Sequence, residues 1–302
     1  MAELRFDGRV AVVTGAGGGL GREHALLLAS RGASVVVNDV GGMVDGSGAS
    51  DDPARTTAEE IIEAGGTAVS DTSSVATPEG GKAIVDAALE AFGRVDIVVN
   101  NAGILRDKTI QNMTPDQLEP VLDVHLRGAF NVTRPAWLRM REQRYGRILL
   151  TSSNAGILGN FGQSNYGAAK MGLVGLARVL AQEGARYGIA VNVLAPIART
   201  RMTQDLLGPA GAKLDPRLVA PVAAFLVHED CPVSGEIFSA GGGRVARFFV
   251  GLTPGYLNPD LAPEDVRDHF DQIRAEHGYS VPGGVADEIA GLVERLQAPS
   301  KG

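Results

Sequence analysis

The chain has 302 residues, of which 44% are hydrophobic and 21% charged, and its formal net charge is −7. This acidic balance argues against nucleic acid as the main partner, because a phosphate backbone requires a basic surface. The single cysteine, Cys231, excludes an intrachain disulfide and a metal centre built from cysteines alone. We predict no metal site.

The N-terminus and the lengths of the apolar runs predict a cytoplasmic protein. Glu3 and Asp7 precede the first apolar run, unlike the basic start of a secretory signal. No apolar stretch approaches the roughly 18 residues of a membrane span. The last three residues, SKG, differ from the peroxisomal signal SKL.

Short runs rich in Val and Ile alternate along the chain with segments of helical periodicity. The runs predict strands at 9–14, 34–38, 67–70, 95–100, 146–152, 189–195 and, more weakly, 236–240. The periodic segments predict helices at about 20–31, 53–64, 78–92, 115–142, 163–187, 216–227, 263–277 and 284–297. This alternation is typical of βαβ units. We therefore expect an α/β fold over residues 5–243, a Rossmann-type doubly wound parallel sheet of about seven strands with helices on both faces.

Two segments depart from this rhythm. Residues 41–54 are rich in Gly, Asp and Ser and predict an exposed, mobile loop after the second strand. Residues 244–302 predict a small C-terminal helical extension that acts as a cap or as an oligomer contact.

The turn after the first strand reads TGAGGGLG. Within it, Gly15, Gly19, Leu20 and Gly21 are the residues that we expect at a cofactor. A dinucleotide pyrophosphate approaches the backbone closely at a helix N-terminus, where side chains would block it. A tight turn alone would also use glycine, but the position between a first strand and a helix favours the dinucleotide.

Asp39 ends the second strand, where the adenosine ribose of such a dinucleotide would lie. A carboxylate accepts hydrogen bonds from both ribose hydroxyls and repels a 2′-phosphate by roughly 4 kcal/mol at about 4 Å and an effective dielectric near 20. We therefore predict NAD, not NADP. The alternative is an aspartate that only faces water.

The fourth strand ends in NNAG, residues 100–103. Small residues at a strand end let the backbone lie against a nucleoside, and Asn101 is able to bridge neighbouring elements. We place Asn101, Ala102 and Gly103 in the cofactor site.

Ser153 follows the fifth strand, and Tyr166 and Lys170 lie one turn apart on the next predicted helix. Oxidation of an alcohol needs a base, and a lysine ammonium together with a positive nicotinamide ring would lower the pKa of Tyr166 from about 10. Ser153 would hold the substrate oxygen. Lys170 is also suited to donate to the nicotinamide ribose. A Tyr–Lys pair at this spacing is common on helix surfaces, but its position after the glycine turn and Ser153 favours catalysis.

These motifs together resemble those of the short-chain dehydrogenase/reductase family, over about residues 5–243. More narrowly, NNAGILRDKTIQNM, VHLRGAFNVTRPAW and GNFGQSNYGAAKMGLVGLA resemble the (3R)-hydroxyacyl-CoA dehydrogenase region of the peroxisomal multifunctional enzymes of type 2, a group also known as a type of 17β-hydroxysteroid dehydrogenase. The resemblance implies NAD, a Ser–Tyr–Lys mechanism and a homodimer or homotetramer. It also places Pro196 and Thr200, with Tyr166 and Lys170, at the cofactor.

Three positions depart from the pattern of the family. His125 stands where many members have an asparagine that organises a proton relay, so it is either a relay residue or a structural histidine. Asp71, Ser73 and Ser74 compete for the adenine contact. The usual Pro-Gly after the sixth strand is replaced by Pro196-Ile197, with one residue fewer before Thr200.

The leading interpretation is an NAD-dependent dehydrogenase of a (3R)-hydroxyacyl-CoA. A hydroxysteroid or a steroid side-chain CoA thioester is the alternative substrate. An acyl-carrier-protein reductase is disfavoured by Asp39, and a non-catalytic nicotinamide-binding module by the intact Ser–Tyr–Lys set. Residues 196–215 predict a substrate loop with Leu206 and Leu207 as an apolar lid. Four basic loop residues are candidates for contact with coenzyme A phosphates, the alternative being side chains that only face water: Arg106, Lys108, Arg199 and Arg201.

Overall fold

The computed structural model describes residues 3–200 and 213–297. One eight-stranded sheet has the order β3-β2-β1-β4-β5-β6-β7-β8. The strands are β1 (Val10–Thr14), β2 (Ser34–Asn38), β3 (Thr67–Asp71), β4 (Ile97–Asn100), β5 (Gly146–Thr151), β6 (Ile189–Pro196), β7 (Ile237–Gly241) and β8 (Arg244–Phe248). The pairs from β1 to β7 are parallel.

Helices connect the parallel strands, as the periodicity predicts, and further helices follow the last strand. They are α1 (Gly19–Ser30), α2 (Asp52–Glu63), α3 (Pro78–Phe92), α4 (Pro115–Leu122), α5 (Gly128–Gln143), α6 (Asn154–Ile157), α7 (Ser164–Gly184), α8 (Ala220–Leu226), α9 (Pro263–Asp268), α10 (Phe270–Arg274) and α11 (Val285–Gln297). None of the described helices is long and apolar enough to cross a membrane.

The strands are continuous apolar runs because both faces of the sheet are covered. Every residue of β1 and of β4 is buried. A strand buried on both sides gains from Val and Ile at consecutive positions and does not alternate with polar residues. This confirms the prediction of an α/β fold with helices on both faces.

The sheet departs from the prediction at its last edge. An eighth strand, β8, follows β7 across Gly242 and Gly243, which have φ +58° and +81°. A two-residue connection with positive φ is typical of a tight hairpin, so the sheet is mixed and not purely parallel. The segment RVARF is short and interrupted by arginine, so it lacks the continuous β-branched run that marks the other strands.

Two helical predictions also change. The single helix predicted over 115–142 is interrupted by a turn of π-helix at Asp123–Arg127, and α6 was not predicted. One inserted residue hardly alters the apolar spacing of a long helix, so periodicity does not report a π-turn. The turn matters for the site because it carries the buried His125.

The chain divides into two compact units, Met1–Arg247 and Phe248–Gly302. The predicted boundary between residues 243 and 244 falls at the start of β8. Within the second unit, Leu252 and Ser280 form an isolated antiparallel bridge, and the ring of Phe249 stacks on that of Tyr279 at 5.4 Å between centroids.

The strand order positions the site. β1 pairs with β2 on one side and with β4 on the other. The chain therefore continues from β1 toward one edge of the sheet and from β4 toward the opposite edge. In open α/β sheets this reversal leaves a crevice at the carboxyl ends of the strands, where ligands bind.

Candidate active site

The glycine-rich turn between β1 and α1 packs directly against the residues after β4. A Cβ atom on Gly15, which has φ +65°, would lie 2.8 Å from Cα of Ala102, and one on Gly21 would lie 2.1 Å from the carbonyl oxygen of Gly15. Neither position has room for a side chain. Because the turn also opens α1, its backbone suits a dinucleotide pyrophosphate.

The Asp39 carboxylate is fixed by backbone N–H groups on both sides. Its Oδ2 accepts from Gly17 N at 2.9 Å and its Oδ1 from Gly41 N at 2.7 Å. A carboxylate has about four acceptor positions, so Asp39 keeps acceptor capacity for the hydroxyl groups of a ligand. It lies on the wall of a large cavity in front of the glycine turn.

Asn101 and Thr14 join the ends of β1 and β4. Asn101 Nδ2 donates to the carbonyl oxygens of Thr14 at 3.0 Å and of Gly15 at 3.2 Å. In return, the Thr14 hydroxyl oxygen accepts from the backbone N–H groups of Asn101 and Ala102. The NNAG segment therefore holds the glycine turn in place, as well as forming part of the cavity wall.

The cavity at the carboxyl edge of the sheet has a volume of about 690 Å³. Of the residues predicted from the glycine turn, the NNAG segment and the Ser–Tyr–Lys set, Gly21 alone does not line it, because it lies behind the turn against Gly15. The predicted residues on its wall are Gly15, Gly19, Leu20, Asp39, Asn101, Ala102, Gly103, His125, Ser153, Tyr166, Lys170, Pro196 and Thr200.

The fold brings Ser153, Tyr166 and Lys170 together on this wall. The side chain of Ser153 lies close enough to the Tyr166 hydroxyl to lower its pKa by hydrogen bonding. The Lys170 ammonium lies 5.6 Å from the centroid of the Tyr166 ring. An alcohol oxygen placed at the Tyr166 hydroxyl would thus meet a second hydroxyl and a nearby cation.

The two serines at the end of β5 have different roles. Ser152 is buried, and its hydroxyl donates to the carbonyl oxygen of Lys170 at 2.7 Å. Ser153 is partly exposed on the cavity, and its Oγ accepts from Ala155 N at 3.2 Å, which caps α6. Ser152 thus ties the end of β5 to α7 through its hydroxyl, whereas the Ser153 side chain caps α6 on the cavity wall.

Burial dominates the titration of both α7 side chains. It raises the pKa of Tyr166 above its usual value, while the hydrogen bond with Ser153 lowers it and the charge of Asp107 raises it further. Burial also lowers the pKa of Lys170 to about 7. In the protein alone burial therefore leaves the pKa of Tyr166 raised, and its lowering by Lys170 together with a nicotinamide ring stays a prediction. Lys170 Nζ donates to the carbonyl oxygen of Thr151.

His125 is buried beneath Tyr166. Its ring stands edge-on to the Tyr166 ring, with centroids 5.0 Å apart, and its Nε2 lies 3.0 Å from the backbone nitrogen and 2.8 Å from the carbonyl oxygen of Ile104. Burial, followed by the charge of Lys170, holds its pKa well below the usual value. A neutral His125 supports the tyrosine ring. Gly103 makes room for it, since a Cβ there would lie 2.3 Å from Cε1 of His125.

The predicted adenine contacts separate into two groups. The Asp71 carboxylate accepts from Asn38 Nδ2 at 2.7 Å and from Ser73 N at 3.0 Å. It therefore links the ends of β2 and β3 and does not line the cavity. Ser73 and Ser74 do line it, together with Val75.

The loop after β2 forms part of the cavity, which we did not predict. Val40, Met43 and Val44 line it, and the backbone of Val44 accepts from Leu105 N at 2.9 Å. Composition marks such a loop as exposed, but contacts with a loop distant in sequence have no local signal. The predicted exposed loop thus contributes an apolar wall.

The predicted basic residues do not form one cluster. Arg106 lines the cavity, but its guanidinium donates to the carbonyl oxygens of Asp45 at 2.8 Å and Asp116 at 2.6 Å. It therefore clamps two loops together. Lys108 and Arg199 do not line the cavity. Arg201, Leu206 and Leu207 lie outside the described residues.

Several buried polar atoms on this cavity have no hydrogen-bond partner among the described residues. They are Nδ1 of His125, Oγ1 of Thr151 and Oδ1 of Asn154. Buried polar groups are nearly always paired in folded proteins, and exceptions call for a ligand or water. Their concentration here fits a polar ligand. Sequence reasoning missed Thr151 and Asn154, although both flank the predicted Ser153.

Sequence comparison relates the chain to known dehydrogenases. The profile described as short chain dehydrogenase matches residues 9–208. A short-chain type dehydrogenase/reductase of Mycobacterium tuberculosis is 51% identical over 278 residues, covering 91% of this chain and 97% of that protein. The peroxisomal multifunctional enzyme type 2 of Drosophila melanogaster is 46% identical over 306 residues, covering 99% of this chain and 51% of that protein. This chain therefore spans about half the length of the Drosophila enzyme.

Solved structures agree with the sequence comparison. The full-length Drosophila enzyme superposes with a TM-score of 0.82 at 40% identity, covering 97% of this chain and 50% of that one. A 7α-hydroxysteroid dehydrogenase complexed with NADH and 7-oxo glycochenodeoxycholic acid superposes with a TM-score of 0.72 at 29% identity, covering 80% of this chain and 98% of that one. The chain belongs to the short-chain dehydrogenase family, whose enzymes use NAD or NADP to oxidise or reduce small molecules at CH–OH groups.

Proposed function

We propose that the protein interconverts a (3R)-hydroxyacyl-CoA and the corresponding 3-ketoacyl-CoA with NAD as the hydride carrier. The observation that carries the proposal is the meeting of Tyr166, Ser153 and Lys170 on one wall of the cavity that the glycine turn also borders. The kinship with the dehydrogenase region of multifunctional enzyme type 2 supports the substrate class.

In this proposal Tyr166 exchanges a proton with the substrate oxygen. During oxidation the carbinol O–H bond breaks, the proton passes to the phenolate oxygen of Tyr166, and the carbonyl double bond forms as hydride leaves carbon 3. NAD, when bound, would accept the hydride and add positive charge to the site. Ser153 donates a hydrogen bond to the same oxygen, which orients it and stabilises its developing charge.

Lys170 acts on this proton transfer by its charge. Its ammonium stabilises the phenolate of Tyr166 from one helical turn away. Its Nζ is anchored on the carbonyl oxygen of Thr151 and is suited to donate to a ribose hydroxyl as well. His125 packs beneath the ring of Tyr166 and keeps it in place.

Asp39 supports the choice of NAD over NADP. Because two backbone N–H groups fix its carboxylate on the cavity wall, the charge is not free to turn away from a 2′-phosphate. The glycine turn fits the pyrophosphate, since a Cβ at Gly15 or Gly21 would fill it. Together they support the proposal that the adenosine half of NAD binds at the β1–β2 end of the cavity.

A hydroxysteroid, or the CoA thioester of a steroid side chain, is the second candidate substrate. The structural likeness to a 7α-hydroxysteroid dehydrogenase favours it. The homodimer or homotetramer and the cytoplasmic location stay predictions, and the Drosophila relative is named as peroxisomal.

Steady-state kinetics test the proposal. Purified protein is given NAD with a (3R)-hydroxyacyl-CoA, its (3S) epimer and a panel of hydroxysteroids, and NADH formation is followed. We expect a higher kcat/KM for the (3R) thioester than for the epimer or the steroids. A protein that oxidises steroid alcohols well and gives no NADH with the thioester would contradict the proposal.

A further inference from the structure

Asn154 is the residue directly after Ser153 and the first residue of α6. It lines the cavity, and its Oδ1 is buried without a hydrogen-bond partner among the described residues. The neighbouring Thr151 Oγ1 is in the same state. Two partnerless polar groups thus flank the serine that holds the substrate oxygen in the proposed function.

The scaffold does not use the side chain of Asn154. The first turn of α6 is held by Ala155 N donating to Ser153 Oγ and by Gly156 N and Ile157 N donating to the carbonyl oxygen of Ser153. Asn154 contributes only its own backbone carbonyl, which accepts from Leu158 N at 2.7 Å.

Asn165 shows the contrast with a structural asparagine beside the same cavity. Its Nδ2 donates to the carbonyl oxygens of Arg106 and Gln117, and its Oδ1 accepts from Tyr166 N. Every polar atom of that amide has a partner in the fold. The amide of Asn154 has none described, so its partner is to be sought in the ligand.

The proposed substrate offers a matching group. A 3-hydroxyacyl or 3-ketoacyl thioester carries a second oxygen, the thioester carbonyl, two carbons from the reacting carbon. An asparagine amide turns about its last torsion between two nearly equivalent orientations, so Asn154 is able to present Nδ2 in place of Oδ1. We propose that Asn154 is a specificity-determining residue whose amide donates to the thioester carbonyl while Ser153 and Tyr166 hold the reacting oxygen.

This assignment rests on the proposed function and adds a requirement for the substrate, which must carry a second oxygen two carbons from the reacting carbon. An isolated secondary alcohol or ketone, such as one on a steroid ring, has no such second oxygen. Asn154 would therefore favour β-oxygenated thioesters over isolated alcohols and leave the proton transfer itself unchanged.

Two truncated substrates that differ in one group provide the test. Acetoacetyl-N-acetylcysteamine carries the thioester carbonyl, and S-(3-oxobutyl)-N-acetylcysteamine has a methylene in its place. Reduction of each with NADH is measured for the wild type and for Asn154→Ala, Asn154→Asp and Asn112→Ala. Asn112 is an exposed asparagine that does not line the cavity, which makes it the matched control.

We expect Asn154→Ala to lower the ratio of the thioester kcat/KM to the thioether kcat/KM about tenfold, the range of one hydrogen bond. Asn154→Asp, which keeps the size but not the donor, should do the same, and Asn112→Ala should leave the ratio unchanged. Equal losses on both substrates, no change in the ratio, or full activity of Asn154→Asp would overturn the assignment.

The failure of the proposed function has a different signature. A wild type that reduces the thioether and not the thioester overturns the acyl-CoA proposal together with the role of Asn154. A wild type that reduces the thioester well and an Asn154→Ala variant with an unchanged ratio overturn only the role of Asn154.

Discussion

Lys170 and Thr151 are joined by a buried hydrogen bond from the lysine ammonium to the threonine carbonyl oxygen. The contact fixes the ammonium 5.6 Å from the centroid of the Tyr166 ring and not directly on the phenol oxygen. This position, set by the end of β5, is the one from which Lys170 acts on Tyr166 through space in the proposed function.

The burial of Lys170 predicts a pH-dependent effect on stability. Its pKa is about 7 in the fold and ordinary when unfolded. Below about pH 7 Lys170 is protonated in both the folded and the unfolded state, so the folded state bears the full cost of burying the charge. Above about pH 7 the folded amine loses its proton while the unfolded amine keeps it, so this cost to the free energy of unfolding decreases. Lys170→Met should therefore raise the free energy of unfolding by at least about 1 kcal/mol near pH 6 and by less near pH 9. Urea unfolding at the two pH values checks this, and an equal gain at both would contradict it.

Tyr166→Phe should abolish turnover while leaving NAD binding nearly intact. The variant loses the proton donor but keeps the ring that packs on His125. General acid–base catalysis contributes about 10²- to 10⁴-fold, so kcat should fall at least 100-fold. Kinetics and an NAD titration by fluorescence measure the two effects, and retained activity would refute the role of Tyr166.

His125→Gln should keep the shape of the pH–rate profile. Burial and the charge of Lys170 hold the pKa of His125 well below its usual value, so its ring stays neutral over the pH range in which the rate is measured. Glutamine retains a hydrogen-bonding group toward the backbone of Ile104. If one of the two pH-dependent slopes of the profile disappears in the variant, His125 titrates during turnover and the hypothesis of a proton relay through His125 is supported.

Asp39→Asn should weaken discrimination against NADP. Asparagine keeps a side-chain oxygen for the N–H groups of Gly17 and Gly41 and removes the charge. A repulsion of roughly 4 kcal/mol per unit charge corresponds to more than about 100-fold in relative kcat/KM. Kinetics with both cofactors test this, and an unchanged preference would argue against a ribose role.

Gly21→Ala should destabilise the nucleotide end of the fold. Its Cβ would lie 2.1 Å from the carbonyl oxygen of Gly15, which is backbone and unable to move cheaply. We expect a loss of about 1–3 kcal/mol in the free energy of unfolding. Gly175→Ala is the matched control, because nothing lies within 4 Å of its Cβ and it is a helix interior position. That variant should be neutral or stabilised by up to about 1 kcal/mol.

Local patterns accounted for much of this molecule. Strands buried on both faces must be apolar at consecutive positions, so their β-branched runs located the sheet. The glycine turn could be recognised from the sequence because its backbone lies so close to neighbouring backbone atoms that no Cβ fits, as Gly15 and Gly21 show. The spacing of Tyr166 and Lys170 placed them on one helix face.

Only the tertiary structure decided how these groups interact. Whether Lys170 lowers the pKa of Tyr166 depends on burial and on the position of the Thr151 carbonyl, neither of which has a local signal. Arg106 has the charge of a phosphate ligand, but its guanidinium donates to backbone carbonyl oxygens of loops that are distant in sequence. The partnerless amide of Asn154 also appears only when every neighbour is in place. Sequence by itself determined which motifs lie at the carboxyl ends of the strands, because strand and helix periods are local properties. Their charges and hydrogen bonds were decided by tertiary packing, because desolvation and pairing depend on residues far apart in the chain.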